Sequence, residues 1–193
     1  MNPAVLIVCT GNICRSPMAQ AVLMAGLAGA PGDSVQVSSA GTHALVGERM
    51  HVDAVQALEV WGIQVPEFTA AALTPAAVQQ ADLLLGATRE HRAAIVGLAP
   101  ARARDAYTLR EFGRLAAAVD PAALPAGSRG RRLAALLTAV SALRGTLTLR
   151  EPAEDDIPDP YGRGRPAFDL ALSLIHQALR PAITQLGDPK LSI

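Results

Sequence analysis

The chain has 193 residues, of which half are hydrophobic and 18% are charged. That is enough apolar material for a buried core and excludes disorder as the resting state. Seventeen basic residues balance seventeen acidic ones and only 3% are aromatic, which excludes a basic, base-stacking nucleic-acid face and leaves an aliphatic core.

The run Ala4-Val5-Leu6-Ile7-Val8 predicts a strand buried on both faces. A loop follows, Cys9-Thr10-Gly11-Asn12-Ile13-Cys14-Arg15-Ser16, and Pro17 opens a helix through residues 18–27. Residues 35–39 alternate as a second strand and lead into Ala40-Gly41-Thr42. Val55, Leu58 and Val60 at helical spacing mark a helix over 53–61, ended by Gly62. Residues 75–80 make a short helix and 82–86 a third strand, after which Thr88 caps a helix through Val96. Residues 106–109 form a weaker fourth strand. Pro166 starts a final helix with Phe168, Leu170, Leu172, Leu174, Ile175 and Leu179 on a broad apolar face.

Strands alternating with helices predict an α/β fold with a parallel twisted sheet. Ligands bind such sheets at the carboxyl ends of the strands, where Cys9 sits. Residues 113–154 interrupt the alternation with loop-like Asp120-Pro121 and Leu124-Pro125-Ala126-Gly127-Ser128. An Arg-rich amphipathic helix over 129–143 follows. The expected organisation is one domain, 1–193, with a mainly helical insertion at about 113–154 whose favoured role is packing. The apolar run at 4–8 is too short for a signal or membrane span, and Met1-Asn2-Pro3 carries no basic region, so a cytoplasmic location is expected. Two cysteines are too few for a disulfide framework, and no zinc-ligand spacing is present.

The loop after the first strand carries the chemistry. Arginine is abundant here, so Cys-x5-Arg alone says little. Gly11, Asn12, Ser16, the strand before and the proline after give it weight. A phosphate dianion needs donors converging on one point, which a tight loop and a helix N-terminus supply. Gly11 allows close backbone approach and Asn12 tolerates positive φ. Arg15 offers a planar fork matching two phosphoryl oxygens. Cys9 lies in the same positive field, which favours its thiolate and makes it a nucleophile for phosphorus. Cys14 either packs or traps Cys9 as a reversible disulfide. Ile157-Pro158-Asp159-Pro160-Tyr161 offers a carboxyl group on a proline-stiffened loop, able to protonate a leaving oxygen.

The stretch Val8-Cys9-Thr10-Gly11-Asn12-Ile13-Cys14-Arg15-Ser16-Pro17-Met18-Ala19 resembles the low-molecular-weight protein tyrosine phosphatase family. Ser39-Ala40-Gly41-Thr42 resembles its second loop and Asp159-Pro160-Tyr161 its acid loop. The resemblance spans about residues 4–112 and 155–187. It implies a four-stranded parallel sheet flanked by helices on both faces, with a phosphate-binding loop after the first strand and no metal or other cofactor. By position, Cys9 is the implied nucleophile, Arg15 the phosphate clamp and Asp159 the general acid. Thr10, Gly11, Asn12, Ile13, Cys14 and Ser16 complete the phosphate-binding loop. Ser16 is implied to hydrogen-bond the thiolate, and Asn12 with Ser39 to hold the loop's shape. His43 and Leu45 fall at the substrate wall with Tyr161. Residues 39–47 are most similar to bacterial members linked to capsule and exopolysaccharide synthesis, which act on autophosphorylating tyrosine kinases. The implied partner is thus a phosphotyrosine protein, a bacterial tyrosine kinase among the candidates, with no nucleic acid or membrane and a monomeric or weakly dimeric state.

Gly162 departs from the family, standing where several members have a second aromatic residue. His51, His91 and His176 show no metal spacing and read as surface or cap residues. Glu151, Glu154, Asp155 and Asp156 read as a mostly solvated run, with Asp156 near enough to compete with Asp159 for the acid role. Thr88-Arg89-Glu90 reads as a helix start. Two rival activities remain: arsenate reduction on the same fold, and phosphoprotein binding without turnover.

Overall fold

The computed structural model describes residues 3–28, 33–147 and 151–186. Four parallel strands form one sheet in the order β2-β1-β3-β4: β1 (Ala4–Cys9), β2 (Gln36–Gly41), β3 (Leu83–Gly86) and β4 (Ala106–Thr108). Cys9 is level with Gly41, and Val8 with both Ala40 and Gly86. Three carboxyl ends therefore converge around the Cys9 loop.

Alternation along β1 divides the core. Val5 and Ile7, with Leu83 and Leu85, join the layer made by α1 (Arg15–Gly26), α5 (Leu109–Ala117) and α7 (Arg165–Leu186). Leu6 and Val8, with Leu84 and Ala106, face Val78 of α3 (Pro75–Gln80) and Ile95 of α4 (Arg89–Leu98). Burial on both sides is what an unbroken aliphatic strand requires. The remaining helix of the first half, α2 (Val52–Val60), packs on α1 and α7.

Helix starts follow side-chain caps. Thr74, Thr88, Thr108 and Ser128 each accept a main-chain N–H at the head of their helix. Thr108 and Glu111 cap each other's backbone groups reciprocally. That box starts α5, a helix the sequence reading leaves unassigned between the fourth strand and the insertion. Another difference matters for chemistry: α1 begins at Arg15 rather than at Pro17, so its first turn belongs to the loop.

The long connection packs. Helix α6 (Arg129–Leu143) buries Leu133, Leu136 and Val140 against α5 and α7. Arg129 donates to the Asp33 carbonyl at 2.8 Å, and Arg132 to the Gln185 carbonyl at 2.8 Å. Arg144 lies 3.9 Å over the Tyr107 ring and donates to Glu111 at 3.0 Å. The Ala106 carbonyl of edge strand β4 accepts from both Arg144 and Arg92, which covers part of the exposed ladder. Residues 148–150 of this connection lie outside the described residues.

Candidate active site

The loop between β1 and α1 is shaped from outside by main-chain bonds. Thr42, His43, Leu45 and His51 donate their N–H groups to the carbonyls of Cys9, Thr10, Gly11 and Ile13 at 2.9, 3.0, 3.0 and 2.8 Å. In a planar trans peptide, C=O and the following N–H point in opposite directions. The amides of Thr10, Gly11, Asn12 and Cys14 are therefore turned to the loop's interior. Among the described residues, no main-chain carbonyl accepts from the N–H groups of residues 10–15. Gly41 makes the close approach possible, since a Cβ there would collide with the Thr10 carbonyl oxygen.

Asn12 holds the tightest point of the turn. Its φ is 55°, it is fully buried, and its side chain makes three hydrogen bonds. Nδ2 donates to Ser16 Oγ at 2.8 Å and Ser39 Oγ at 2.9 Å, while Oδ1 accepts from Ala71 N at 2.8 Å. Ser39 in turn donates to Gln20 Oε1 at 2.7 Å, a support the sequence reading does not include. Ser16 Oγ accepts from Asn12, so its own proton is available to Cys9 Sγ, 3.0 Å away. A hydroxyl in that place stabilises sulfur when it is anionic.

Arg15 is 4% exposed and joins the two halves of the site. Nη1 donates to the Ile157 carbonyl at 3.2 Å, and Nη2 to Asp159 Oδ2 at 2.7 Å and Thr10 Oγ1 at 3.4 Å. Its Nε is buried with no hydrogen-bond partner in the protein, a donor that an oxyanion would satisfy. Asp159 is about half exposed, and its Oδ1 accepts from Tyr161 N at 3.2 Å.

Glu151 and Glu154 are exposed, as the sequence reading expects, but Asp155 and Asp156 are anchored, which corrects it for those two. Asp155 is buried against Arg114 of α5. Asp156 accepts from Arg89 N at 2.7 Å and from the Arg89 guanidinium at 2.9 and 3.2 Å. Burial alone would raise the Asp156 carboxyl, but the side-chain and main-chain bonds from Arg89, and its charge, bring it below the usual carboxylate range. Asp156 is thus held as an anion on α4 and does not compete with Asp159 for the proton-donor role. Ile157 N completes the anchoring by donating to the Ala87 carbonyl at 2.9 Å.

His91 is likewise no surface residue. It is 5% exposed, with Nδ1 2.7 Å from Thr88 Oγ1 and Nε2 2.9 Å from Thr10 Oγ1. Burial, helped by the Arg15 charge, pushes its pKa down to about 4, against the opposing pull of Asp159 and Asp156. It is neutral at physiological pH. Burial, then the charges of Cys9 and Asp159, push the Cys14 thiol up to about 12. Both cysteines are free and buried.

Cys9, Thr10, Gly11, Ile13, Cys14 and Arg15 line a cavity of about 280 Å³ together with His43, Leu45, Asp159 and Tyr161. Asn12, Ser16 and Ser39 lie behind this lining as supports. The wall is apolar or aromatic at Ile13, Leu45 and Tyr161. Tyr161 stands edge-on to His51, which stacks on Phe168, the ring centroids being 5.7 and 4.9 Å apart. His51 therefore braces the wall as well as capping α2. Among the described residues, no group of three or more His, Cys, Asp or Glu side chains could hold a metal ion, and no helix is long and apolar enough to cross a membrane.

Comparisons with known proteins converge on this loop-and-sheet arrangement. A family model described as "Low molecular weight phosphotyrosine protein phosphatase" matches residues 4–122. A Ralstonia nicotianae protein named "Probable low molecular weight protein-tyrosine-phosphatase EpsP" is 39% identical over 190 residues, covering 97% of this chain and 100% of its own. The crystal structure of the tyrosine phosphatase Wzb from Escherichia coli K30 with sulphate superposes with a TM-score of 0.68 at 25% identity, covering 97% of this chain and 100% of that one. The YwlE arginine phosphatase from Geobacillus stearothermophilus superposes with a TM-score of 0.67 at 26% identity, covering 95% and 92%.

Proposed function

The chain belongs to the low molecular weight phosphotyrosine protein phosphatase family, and from that premise we propose that it hydrolyses phosphotyrosine through a phosphocysteine intermediate, with the following residues carrying each step. The Cys9 thiolate attacks phosphorus in line with the tyrosine oxygen. Arg15 exchanges Asp159 for two phosphoryl oxygens, using Nη2 and its unpartnered Nε, while the inward amides of the loop take the others. Asp159, released from Arg15 and protonated from solvent, gives that proton to the departing tyrosine oxygen as the P–O bond breaks. In the second transfer Asp159 takes a proton from water, which attacks phosphorus. The P–S bond breaks, Ser16 receives the returning thiolate, and inorganic phosphate leaves.

The observation that carries this reading is the direct contact of Arg15 with Asp159 at 2.7 Å on a loop that also holds Cys9. A binding module without turnover has no use for a carboxyl group so placed. The wall of Ile13, Leu45 and Tyr161 suits an aryl ring better than a guanidinium, for which Asp159 is the sole lining carboxylate among the described residues. Arsenate reduction through an internal thiol relay would need more than this chain offers, since beside Cys9 it has only Cys14, a thiol that burial keeps protonated.

We further take the whole chain as one cytoplasmic phosphatase domain acting as a monomer or weak dimer on a phosphotyrosine protein. A bacterial tyrosine kinase tied to capsule or exopolysaccharide synthesis is the substrate favoured by the likeness of residues 39–47. Phosphate release from matched phosphotyrosine and phosphoarginine peptides, beside arsenate reduction, tests the assignment. Wild type should prefer phosphotyrosine, Cys9→Ser should be inactive, and acid quenching should trap phosphate on Cys9. Wild-type turnover by Cys9→Ser, or preference for phosphoarginine or arsenate, would overturn it.

A further inference from the structure

Two residues in the first turn of α4 touch both halves of the site without lining the cavity. Arg89 reaches the acid loop through its main-chain N–H and through the Nε and Nη2 edge of its guanidinium, all on Asp156. His91 reaches the phosphate-binding loop through Nε2 on Thr10 Oγ1, and its other nitrogen faces Thr88 Oγ1. These contacts span 67 and 81 residues of sequence, and they leave from the same helical turn.

The direction of the His91 contact is set by the ring tautomer. Thr88 Oγ1 accepts the His91 N–H at 3.4 Å as the helix cap and its own proton can go to Nδ1. In that tautomer the ring proton is on Nε2, which donates to Thr10 Oγ1. That oxygen also accepts from Arg15 Nη2 at 3.4 Å. With both acceptor positions filled, the Thr10 hydroxyl proton is left for the cavity that Thr10 lines.

We infer that the first turn of α4 is the positioning element of the active site: Arg89 registers the acid loop so that Asp159 meets the leaving oxygen, and His91 aims the Thr10 hydroxyl and steadies Arg15 at the phosphate. The inference rests on the phosphatase chemistry above. Neither residue touches substrate; each acts through another.

Two losses of different kind follow. Misplacing the acid harms an ester whose leaving oxygen needs a proton and spares an activated one. Misplacing the phosphate donors harms both alike and weakens binding of the bare anion. The experiment measures kcat/KM, which covers the steps through transfer to sulfur, on a phosphotyrosine peptide and on p-nitrophenyl phosphate. Competitive inhibition by inorganic phosphate is measured beside it, on the full chain, well below each variant's thermal midpoint. Arg89→Ala should lose about 10- to 100-fold on the peptide and under about threefold on the activated ester, with phosphate inhibition unchanged. Arg89→Lys, which keeps charge but not the fork, should recover only part of the loss.

His91→Asn can still meet Thr88 but cannot reach Thr10, and should lose about tenfold on both esters with phosphate inhibition weakened by a similar factor. His91→Gln places an amide nitrogen near the Nε2 position and should regain most of both. Equal losses on the two esters in Arg89→Ala would overturn the Arg89 assignment. Indistinguishable Asn and Gln variants at 91, or lowered thermal midpoints with unchanged kinetics, would overturn the His91 assignment. A wild-type chain that cleaves neither ester would overturn the phosphatase reading and the Arg89 role with it. Calorimetric binding of inorganic phosphate would then still decide the role of His91.

Discussion

Replacing His91 with Gln should remove part of the protein's sensitivity to mild acid. In the unfolded chain this imidazole takes a proton near its ordinary value of 6.5, while in the folded protein burial and the Arg15 charge delay protonation to about 4. Between these values the unfolded state binds more protons, so stability is full above 6.5 and declines as pH falls through the window. At about 1.4 kcal/mol per pH unit, the loss reaches roughly 1.4 kcal/mol near pH 5.5 and roughly 2.5 kcal/mol near pH 4.5. The groups facing the ring are Arg15, which deepens the effect, and Asp159 and Asp156, which oppose it. His176 is also held below its ordinary value, by burial and then Arg180, and contributes in the same direction; it is present in both proteins and cancels in their difference. Urea unfolding of wild type and His91→Gln across this range is the assay. Parallel stability curves for the two proteins would refute the reasoning, because they would mean that the buried ring costs nothing to keep neutral.

Asp159→Asn should lower kcat/KM on a phosphotyrosine peptide by about 10²–10⁴-fold and much less on p-nitrophenyl phosphate; equal losses would remove its proton-donor role. Asn12→Ala replaces, at φ 55°, a residue type that tolerates the left-handed region with one that does so less well, and strips partners from Ser16, Ser39 and Ala71 N. It should cost about 2–4 kcal/mol in urea unfolding, and a cost below about 1 kcal/mol would mean that Asn12 does not hold the turn. Cys14 is neutral in the fold up to about 12, against 9.0 unperturbed. Stability should therefore fall as pH rises above its unfolded value. Cys14→Ala should remove about 1.4 kcal/mol of that decline by about pH 10, and an unchanged alkaline slope would contradict the burial.

Chemistry written in consecutive residues is legible in sequence. Cys9, Gly11, Asn12, Arg15 and Ser16 fall within one turn between a strand and a helix, so spacing alone suggests converging donors. The strands are legible for a related reason: residues 4–8 and 83–85 are unbroken aliphatic runs that only a doubly covered sheet can bury. What spacing does not carry is tertiary partnership. Asp155 and Asp156 stand in an acidic run, and only the fold brings Arg114 and Arg89 to them. His91 looks like any residue in a first helical turn until Thr10, 81 residues earlier, lies beside its ring. Helix α5 did leave a local sign, Thr108 with Glu111 three residues on, which weighs less than the loop-like composition that follows it.

The clasp around the Cys9 loop is made by backbone amides of Thr42, His43, Leu45 and His51. Any non-proline residue at these positions brings the same N–H. Side chains at 43 and 45 can thus drift with the phosphoprotein they meet while the bowl keeps its curvature. Selectivity and reactivity occupy one stretch of chain yet are written in separate alphabets, one of side chains and one of peptide groups. A lineage can rewrite the first without misspelling the second.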